Sequence, residues 1–236
     1  MNTTTTSSGR AGSADSGLRP RAYDLIVFDW DGTLFDSTAL IVRCIQSACQ
    51  DLGLPVPDRS QASYVIGLGL HDALAHVAPT LPPERVPELG LRYRHHYINC
   101  QHELSLFEGV LPLLSALKER NHWLAVATGK TRQGLNEALA HVELVGLFDS
   151  SRTADETFSK PHPRMLQELI AEFGVEPSRT LMIGDTTHDL QLAVNAGTHS
   201  VAVSFGAHEP ETFADYPTRF VAHSMADLHD WLTQHA

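Results

Sequence analysis

Tyr23-Asp24-Leu25-Ile26-Val27-Phe28-Asp29-Trp30-Asp31-Gly32-Thr33-Leu34 holds an apolar run that ends abruptly in two carboxylates one residue apart, followed by Gly-Thr. Runs bounded in this way read as a parallel strand buried on both faces. In open α/β sheets, ligands bind beyond the carboxyl ends of such strands, which is where Asp29 and Asp31 emerge. Two like charges held that close repel, and each perturbs the other's ionisation. A divalent cation between them, or a proton held by one and not the other, makes the pair tolerable. The plainer alternative is a strand running into an Asp-Gly turn with a solvated acid on each side.

Other apolar segments end in a similar way. His122 to Ala127 leads into Thr128-Gly129-Lys130, and Thr180 to Gly184 leads into Asp185-Thr186-Thr187-His188-Asp189. Ser200 to Gly206 and Arg219 to Ala222 follow. Helical patterns lie between them, over Val110 to Arg120, Arg132 to His141, Pro163 to Phe173, and Asp189 to Ala196 with a stop at Gly197. This alternation predicts an α/β fold with a doubly wound parallel sheet.

One stretch breaks the alternation. Residues 36–107 carry no strand signal but several helical ones, punctuated by Gly53, Pro55, Pro57, Gly67, Gly69, Pro79, Pro82 and Pro83. An inserted all-helical cap over the strand ends fits this pattern, because a site with fixed charges gains from water exclusion by a movable lid. A plain structural excursion is the alternative. The expected organisation is a disordered tail over residues 1–20, a core over 21–35 and 108–236, and the cap over 36–107.

Composition narrows the partners. At 236 residues the chain suits one sizeable core with an inserted subdomain. A formal net charge of −11 argues against nucleic-acid or anionic-membrane binding, since no basic stripe meets phosphates. No apolar run approaches the roughly 18 residues of a membrane span. An acidic chain still accepts an anionic substrate where a metal and a few local cations invert the sign of the site. Cys44, Cys49 and Cys100 follow no CxxC spacing and suggest a reducing, cytoplasmic setting. The fourteen histidines form no HExxH or CxxC…H pattern and read as scattered surface or core residues. Met1 to Pro20 is rich in Ser, Thr and Gly without an apolar core, so it reads as a disordered tail rather than a leader.

If the strands are parallel, four features gather at one sheet edge. They are Asp29 with Asp31, Thr128, Lys160 within Phe158-Ser159-Lys160-Pro161-His162-Pro163, and Asp185 with Asp189. Together they supply a carboxylate nucleophile, an acid/base partner, a hydroxyl donor, a cation and metal-binding acids. That inventory suits phosphoryl transfer, where catalysis is largely positioning and charge neutralisation. Taken singly, Thr128 could be a helix N-cap, Lys160 a solvated loop lysine, and Asp185 with Asp189 a cap and a first-turn acid.

From Tyr23 to about Leu232 the chain resembles a phosphatase of the haloacid dehalogenase superfamily, and most the phosphoglycolate-phosphatase branch with a helical cap after the first motif. The resemblance rests on Asp29-x-Asp31-Gly32-Thr33, Thr128, Lys160-Pro161 and Gly184-Asp185…Asp189 in that order. Val65-Ile66-Gly67-Leu68-Gly69 and Ser204-Phe205-Gly206 add weaker support. The resemblance implies that Asp29 is a nucleophile forming an aspartyl-phosphate. Asp31 would protonate the leaving alkoxide and then deprotonate water. It also implies Mg²⁺ on Asp29, the Asp31 carbonyl and Asp185, with Asp189 as a further metal-side acid. Thr128, Gly129 and Lys160 would bind the phosphoryl group. The cap would select the substrate through Arg43, His71, Arg92, Tyr93 or Arg94, of which Arg92 is the substrate-binding candidate.

The resemblance is not complete. Trp30 is bulkier than the aliphatic residue common between the two acids, and packing under the cap is the preferred expectation over filling space against the sheet. Gly129-Lys130 stands where relatives often carry Asn-Lys, and Lys130 reads as a helix-start residue. Cleavage of a carbon–halogen bond would leave Asp31 and Asp185 without a role. Phosphonate hydrolysis would need a cap lysine, whereas the only lysines are Lys118, Lys130 and Lys160. The expected substrate is a small phosphorylated metabolite, 2-phosphoglycolate by resemblance. Sugar phosphates, nucleoside monophosphates, β-phosphoglucomutase-like transfer and a non-catalytic phosphate-binding module remain as alternatives.

Overall fold

The computed structural model describes residues 21–140 and 144–236, and in it the apolar run forms β1 (Leu25–Phe28), every residue of it buried. Residues 1–20, read as a tail, lie outside the described residues, as does His141, the last residue of one expected helix. After β1 come the helices α1 (Thr38–Asp51), α2 (Arg59–Tyr64), α3 (Leu70–Val77) and α4 (Val86–Cys100). The chain then runs through α5 (Val110–Glu119), β2 (Trp123–Thr128), α6 (Arg132–Ala140) and β3 (Ser150–Thr153). It continues as α7 (Arg164–Phe173), β4 (Thr180–Gly184), α8 (Thr187–Ala196), β5 (His199–Val203), β6 (Val221–Ala222) and α9 (Met225–His235).

The six strands form one sheet in the order β3-β2-β1-β4-β5-β6, with every neighbouring pair parallel. This is the doubly wound order, which reverses beside β1 and opens a crevice at the carboxyl edge there. Register places Phe28 opposite Val126 on one side and Ile183 on the other, so Asp29, Thr128 and Asp185 leave the sheet at nearly the same height. One strand carries no apolar signature: β3 reads Ser-Ser-Arg-Thr and sits at the sheet edge. An edge strand is covered on fewer sides, so polar residues are tolerated there.

Each face of the sheet is covered. Ile26, Phe28, Val126 and Ile183 pack with α5 and α9 on one face, while Leu25, Val27, Ala125 and Met182 pack with α7 and α8 on the other. Complete burial of a side chain of that size contributes about 1.5–3 kcal/mol. Trp30 is fully buried in the first of these cores, stacked on Phe35 at 5.3 Å and tilted against Phe148 at 6.4 Å. That corrects its expected place under the cap: Trp30 fills space against the sheet, just past the carboxyl end of β1. The end of α8 shows how a loop residue positions the fold, because Gly197 takes a left-handed φ of 72° and returns the chain to β5.

The helices between β1 and α5 hold apolar clusters of their own. α1 packs along α4, with Ile41, Val42, Ile45, Val65 and Ile66 in one cluster and Leu74, Leu81, Val86 and Leu89 in another. The segments entering and leaving this region pair antiparallel through Phe35 and Leu106, with Asp36 N donating to Ser105 O and Phe107 N to Leu34 O. That two-strand neck joins the helices to the sheet edge.

Candidate active site

Asp29, Asp185 and Asp189 converge at the carboxyl edge, each offering a carboxylate oxygen within 4.8 Å of the others. All three are buried, and so is Lys160, whose ammonium donates to Asp29 Oδ1 and Asp189 Oδ1 at 2.6 Å each. Lys160 is therefore no solvated loop residue. It lies in the loop before α7, which begins at Arg164 rather than beside the lysine. Asp185 is fixed on both oxygens, accepting from Thr33 Oγ1 at 2.9 Å and from Ala207 N at 2.7 Å.

The helix-cap alternatives resolve differently for each residue. Thr186, not Asp185, caps α8, and Asp189 closes the capping box by accepting from Thr186 N and Oγ1. Asp189 thus both helps cap the start of α8 and anchors Lys160, so its oxygens are the most committed of the three acids. Thr128 is not the cap of α6 either, since Thr131 Oγ1 accepts from Gly134 N. Thr128 is buried at the end of β2 and accepts from Lys130 N at 3.2 Å.

Crowding of charge sets the electrostatics. Burial pushes Asp29 well above the usual carboxylate range; Lys160 opposes this, and Asp189 and Asp185 reinforce it. Burial, then the charge of Asp189, raises Asp185 to about 7, against the pull of the Ala207 N–H and the Thr33 hydroxyl. Burial disfavours the Lys160 ammonium, but Asp189 and Asp29 together hold it above the ordinary lysine range. Three buried acids around one ammonium leave negative charge uncompensated.

A hard divalent cation fits that surplus. Asp29 Oδ2 is buried and has no hydrogen-bond partner, an arrangement that costs free energy unless something positive faces the oxygen. The donor set is all oxygen, as Mg²⁺ prefers. Asp29 and Asp185 are the acids best placed to hold such an ion.

Asp31 stands apart from this cluster. Ser37 Oγ donates to its Oδ1 at 2.7 Å and Lys130 Nζ lies 3.0 Å from its Oδ2. The same ammonium donates to the Tyr97 hydroxyl of α4 at 3.0 Å and lies 4.9 Å from the centre of that ring. Lys130 is therefore not a helix-start residue; α6 begins at Arg132 and the lysine side chain faces the site. Sequence reasoning missed Ser37 and Tyr97, and it passed over Lys130 although its place after Thr128 was a usable signal.

A cavity of about 1070 Å³ runs outward from Asp31 between the helices and the sheet edge. Gly129, Lys130, Tyr93 and Tyr97 line it, with Ile41, Ile45 and Leu68 forming apolar wall. Arg94 and His71 also line it, and Arg94 lies 3.5 Å from Glu137. Arg92, the expected substrate-binding arginine, is exposed on α4 and is not part of this lining; two residues along a helix turns the side chain by more than half a revolution. Arg43 pairs with Glu103 on the surface.

The helical region is seated on the core. A Cβ on Gly129 would lie 2.2 Å from Leu68 O, so only glycine allows this approach. Gly69 N donates to Ser159 Oγ at 2.8 Å. Tyr64 O receives the Nε2 atoms of both His188 and His208, at 2.7 and 3.0 Å, and its ring stacks on His208 at 5.5 Å. Burial holds both imidazoles below the usual histidine range, which suits neutral donors.

The sequence profile of the haloacid dehalogenase-like hydrolases matches residues 26–203. Phosphoglycolate phosphatase of Aliivibrio fischeri is 35% identical over 201 residues, 81% of this chain and 88% of its own. Pyrophosphatase PpaX of Bacillus mycoides is 30% identical over 207 residues, 86% of this chain and 94% of its own. A crystal structure of a predicted phosphoglycolate phosphatase from Haemophilus somnus superposes with a TM-score of 0.77 at 26% identity, covering 89% of this chain and 97% of that one. With a profile spanning most of the sheet and relatives aligned over most of their length, the chain belongs to the haloacid dehalogenase-like hydrolases.

Proposed function

We propose that this protein hydrolyses the phosphate monoester of a small metabolite, with Asp29 as nucleophile and Mg²⁺ as cofactor. The observation that carries this reading is the Asp29 carboxylate, with one oxygen on the Lys160 ammonium and the other buried without a partner. Such an oxygen is held ready for an electrophile or a cation rather than for solvent.

Asp29 attacks phosphorus, forming the acyl-phosphate bond as the ester P–O bond breaks. Asp31 gives a proton to the departing alkoxide and then takes one from the water that releases phosphate from Asp29. Lys160 offsets the charge shared between Asp29 and the phosphoryl group, and Asp189 holds Lys160 in place. Thr128 donates a hydrogen bond to a phosphoryl oxygen. Mg²⁺, held by Asp29, Asp185 and the Asp31 carbonyl, would neutralise phosphoryl oxygens as charge develops.

The substrate we favour is 2-phosphoglycolate, by analogy with the Aliivibrio relative. Larger esters, namely sugar phosphates and nucleoside monophosphates, are favoured by one observation, the cavity volume of about 1070 Å³, which a two-carbon ester does not fill. Phosphate release from these esters and from pyrophosphate, with Mg²⁺ and with chelator, tests the reading. Metal-dependent release that Asp29→Asn abolishes is expected. Release that survives in chelator, or in Asp29→Asn, would contradict it. Retention of the phosphoryl group on an isomerised sugar would point to a mutase instead.

A further inference from the structure

We propose that Lys130 is the specificity-determining cation of this site and that it receives a second anionic group carried by the substrate's leaving group. This rests on the phosphomonoesterase reading and extends it to the chemical class of the ester.

Lys130 is almost enclosed, with its side chain 11% exposed, yet it lines the cavity at the end that opens onto Asp31. Its ammonium has two polar contacts, the Asp31 carboxylate and the Tyr97 hydroxyl, each at 3.0 Å. With Ser37 on the other oxygen, both oxygens of Asp31 are occupied. To serve the leaving oxygen, Asp31 must present one of these oxygens to the cavity, which it lines. Where that oxygen is Oδ2, Lys130 gives up its contact with Asp31, and a desolvated ammonium then needs another anion.

The protein supplies none nearby among the described residues. Of the other acids lining the cavity, Glu137 faces Arg94 and accepts from Gln133, Asp155 accepts from Arg132 N and Thr153 Oγ1, and Asp72 is exposed on α3. The phosphoryl group has its own cation in Lys160. The anion that Lys130 awaits is thus a carboxylate or second phosphate close to the ester oxygen. Tyr97 stays with the ammonium as a phenol, since burial pushes its hydroxyl above the usual tyrosine range, and so adds a donor without adding negative charge. The same exchange couples recognition to reaction: an ester with an anionic leaving group draws Lys130 off Asp31, and a neutral one leaves Asp31 tied.

The test compares 2-phosphoglycolate with its neutral amide, which differs in charge and little in shape, at saturating Mg²⁺. Wild-type protein is expected to prefer the acid in kcat/KM by about tenfold to a hundredfold, the range of a charge-assisted hydrogen bond. Lys130→Met and Lys130→Gln should flatten that ratio mainly by raising KM for the acid, and Lys130→Arg should keep part of it. Competitive inhibition of the wild-type protein by phosphonoacetate and by phosphonoacetamide gives the same comparison without any variant. Equal handling of acid and amide by the wild-type protein would overturn the proposal. So would an equal loss on both esters in the neutral variants, which would make Lys130 a purely structural residue. Failure of the underlying phosphatase reading looks different, because neither ester would then release phosphate.

Discussion

At the scale of single residues, Lys160 holds the charge balance of the site. It bridges Asp29 and Asp189, and both of those carboxylates are buried beside a third at Asp185. Removing one partner of a buried ionic group typically costs about 3–5 kcal/mol because the remaining charges are left uncompensated. Lys160→Met is therefore expected to lower thermal stability as well as to remove activity, with added Mg²⁺ restoring part of the stability and none of the turnover. A variant as stable as the wild type in chelator would show that the triad is not held by this lysine. Asp29, Asp31 and Asp185 were legible in the sequence because each stands just past an apolar run, whereas Lys160, in the loop before α7, was read from its place in the order of the motifs. The roles of Asp189 and Lys130 were not. Asp189 reads as a metal-side acid or as a first-turn acid of a helix, and the Lys130 contacts cross 99 positions to Asp31 and 33 to Tyr97.

At the scale of elements, the helical region closely approaches the strand ends, and the proposed activity is expected to depend on that approach. The tightest point is Gly129 against Leu68 O, where a Cβ would sit at 2.2 Å. Gly129→Ala is expected to hold the 67–69 loop away from Thr128 and Lys130. Activity should fall by about tenfold or more, while the sheet, which does not include Gly129, keeps its cooperative unfolding. Normal kcat and KM in this variant would mean that the approach is incidental. The same scale explains what the sequence hid. The strands β1, β2, β4 and β5 announce themselves by apolar runs covered on both faces, whereas β3 is Ser-Ser-Arg-Thr at an edge, with Arg152 tied to Glu168 and Glu172 on α7. Helix phase separates Arg92 from Arg94, and a short irregular bundle gives no sequence signal that fixes that phase.

At the scale of the whole molecule, the site works against the fold that carries it. Burial raises Asp29 and lifts Asp185 to about 7, so in metal-free protein both hold protons more tightly folded than unfolded. A raised carboxylate contributes stability that is fully present below its unfolded value near 4, and that stability is lost as pH climbs through 7. Metal binding requires the ionised acids and is strengthened over the same window. The stabilisation by Mg²⁺, read as the difference in Tm with and without the ion, should therefore grow from pH 5 to pH 8. A difference that shrinks with rising pH would remove these carboxylates from the metal site. Asp185→Ala should abolish the difference and the activity together.

Phosphoryl transfer to Asp29 is the step on which the proposed roles of the other residues depend. Asp31→Asn protein, mixed in single turnover with an aryl phosphate labelled on phosphorus and quenched in acid, should retain the label. The aryl leaving group departs without a proton, and no base is left to activate water. Peptide mapping is expected to place the label on Asp29, and Asp29→Asn in the same background should stay unlabelled. Release of phosphate at full rate with no labelled protein at any time, or label on another residue, would contradict the assignment of Asp29 as nucleophile and Asp31 as acid and base.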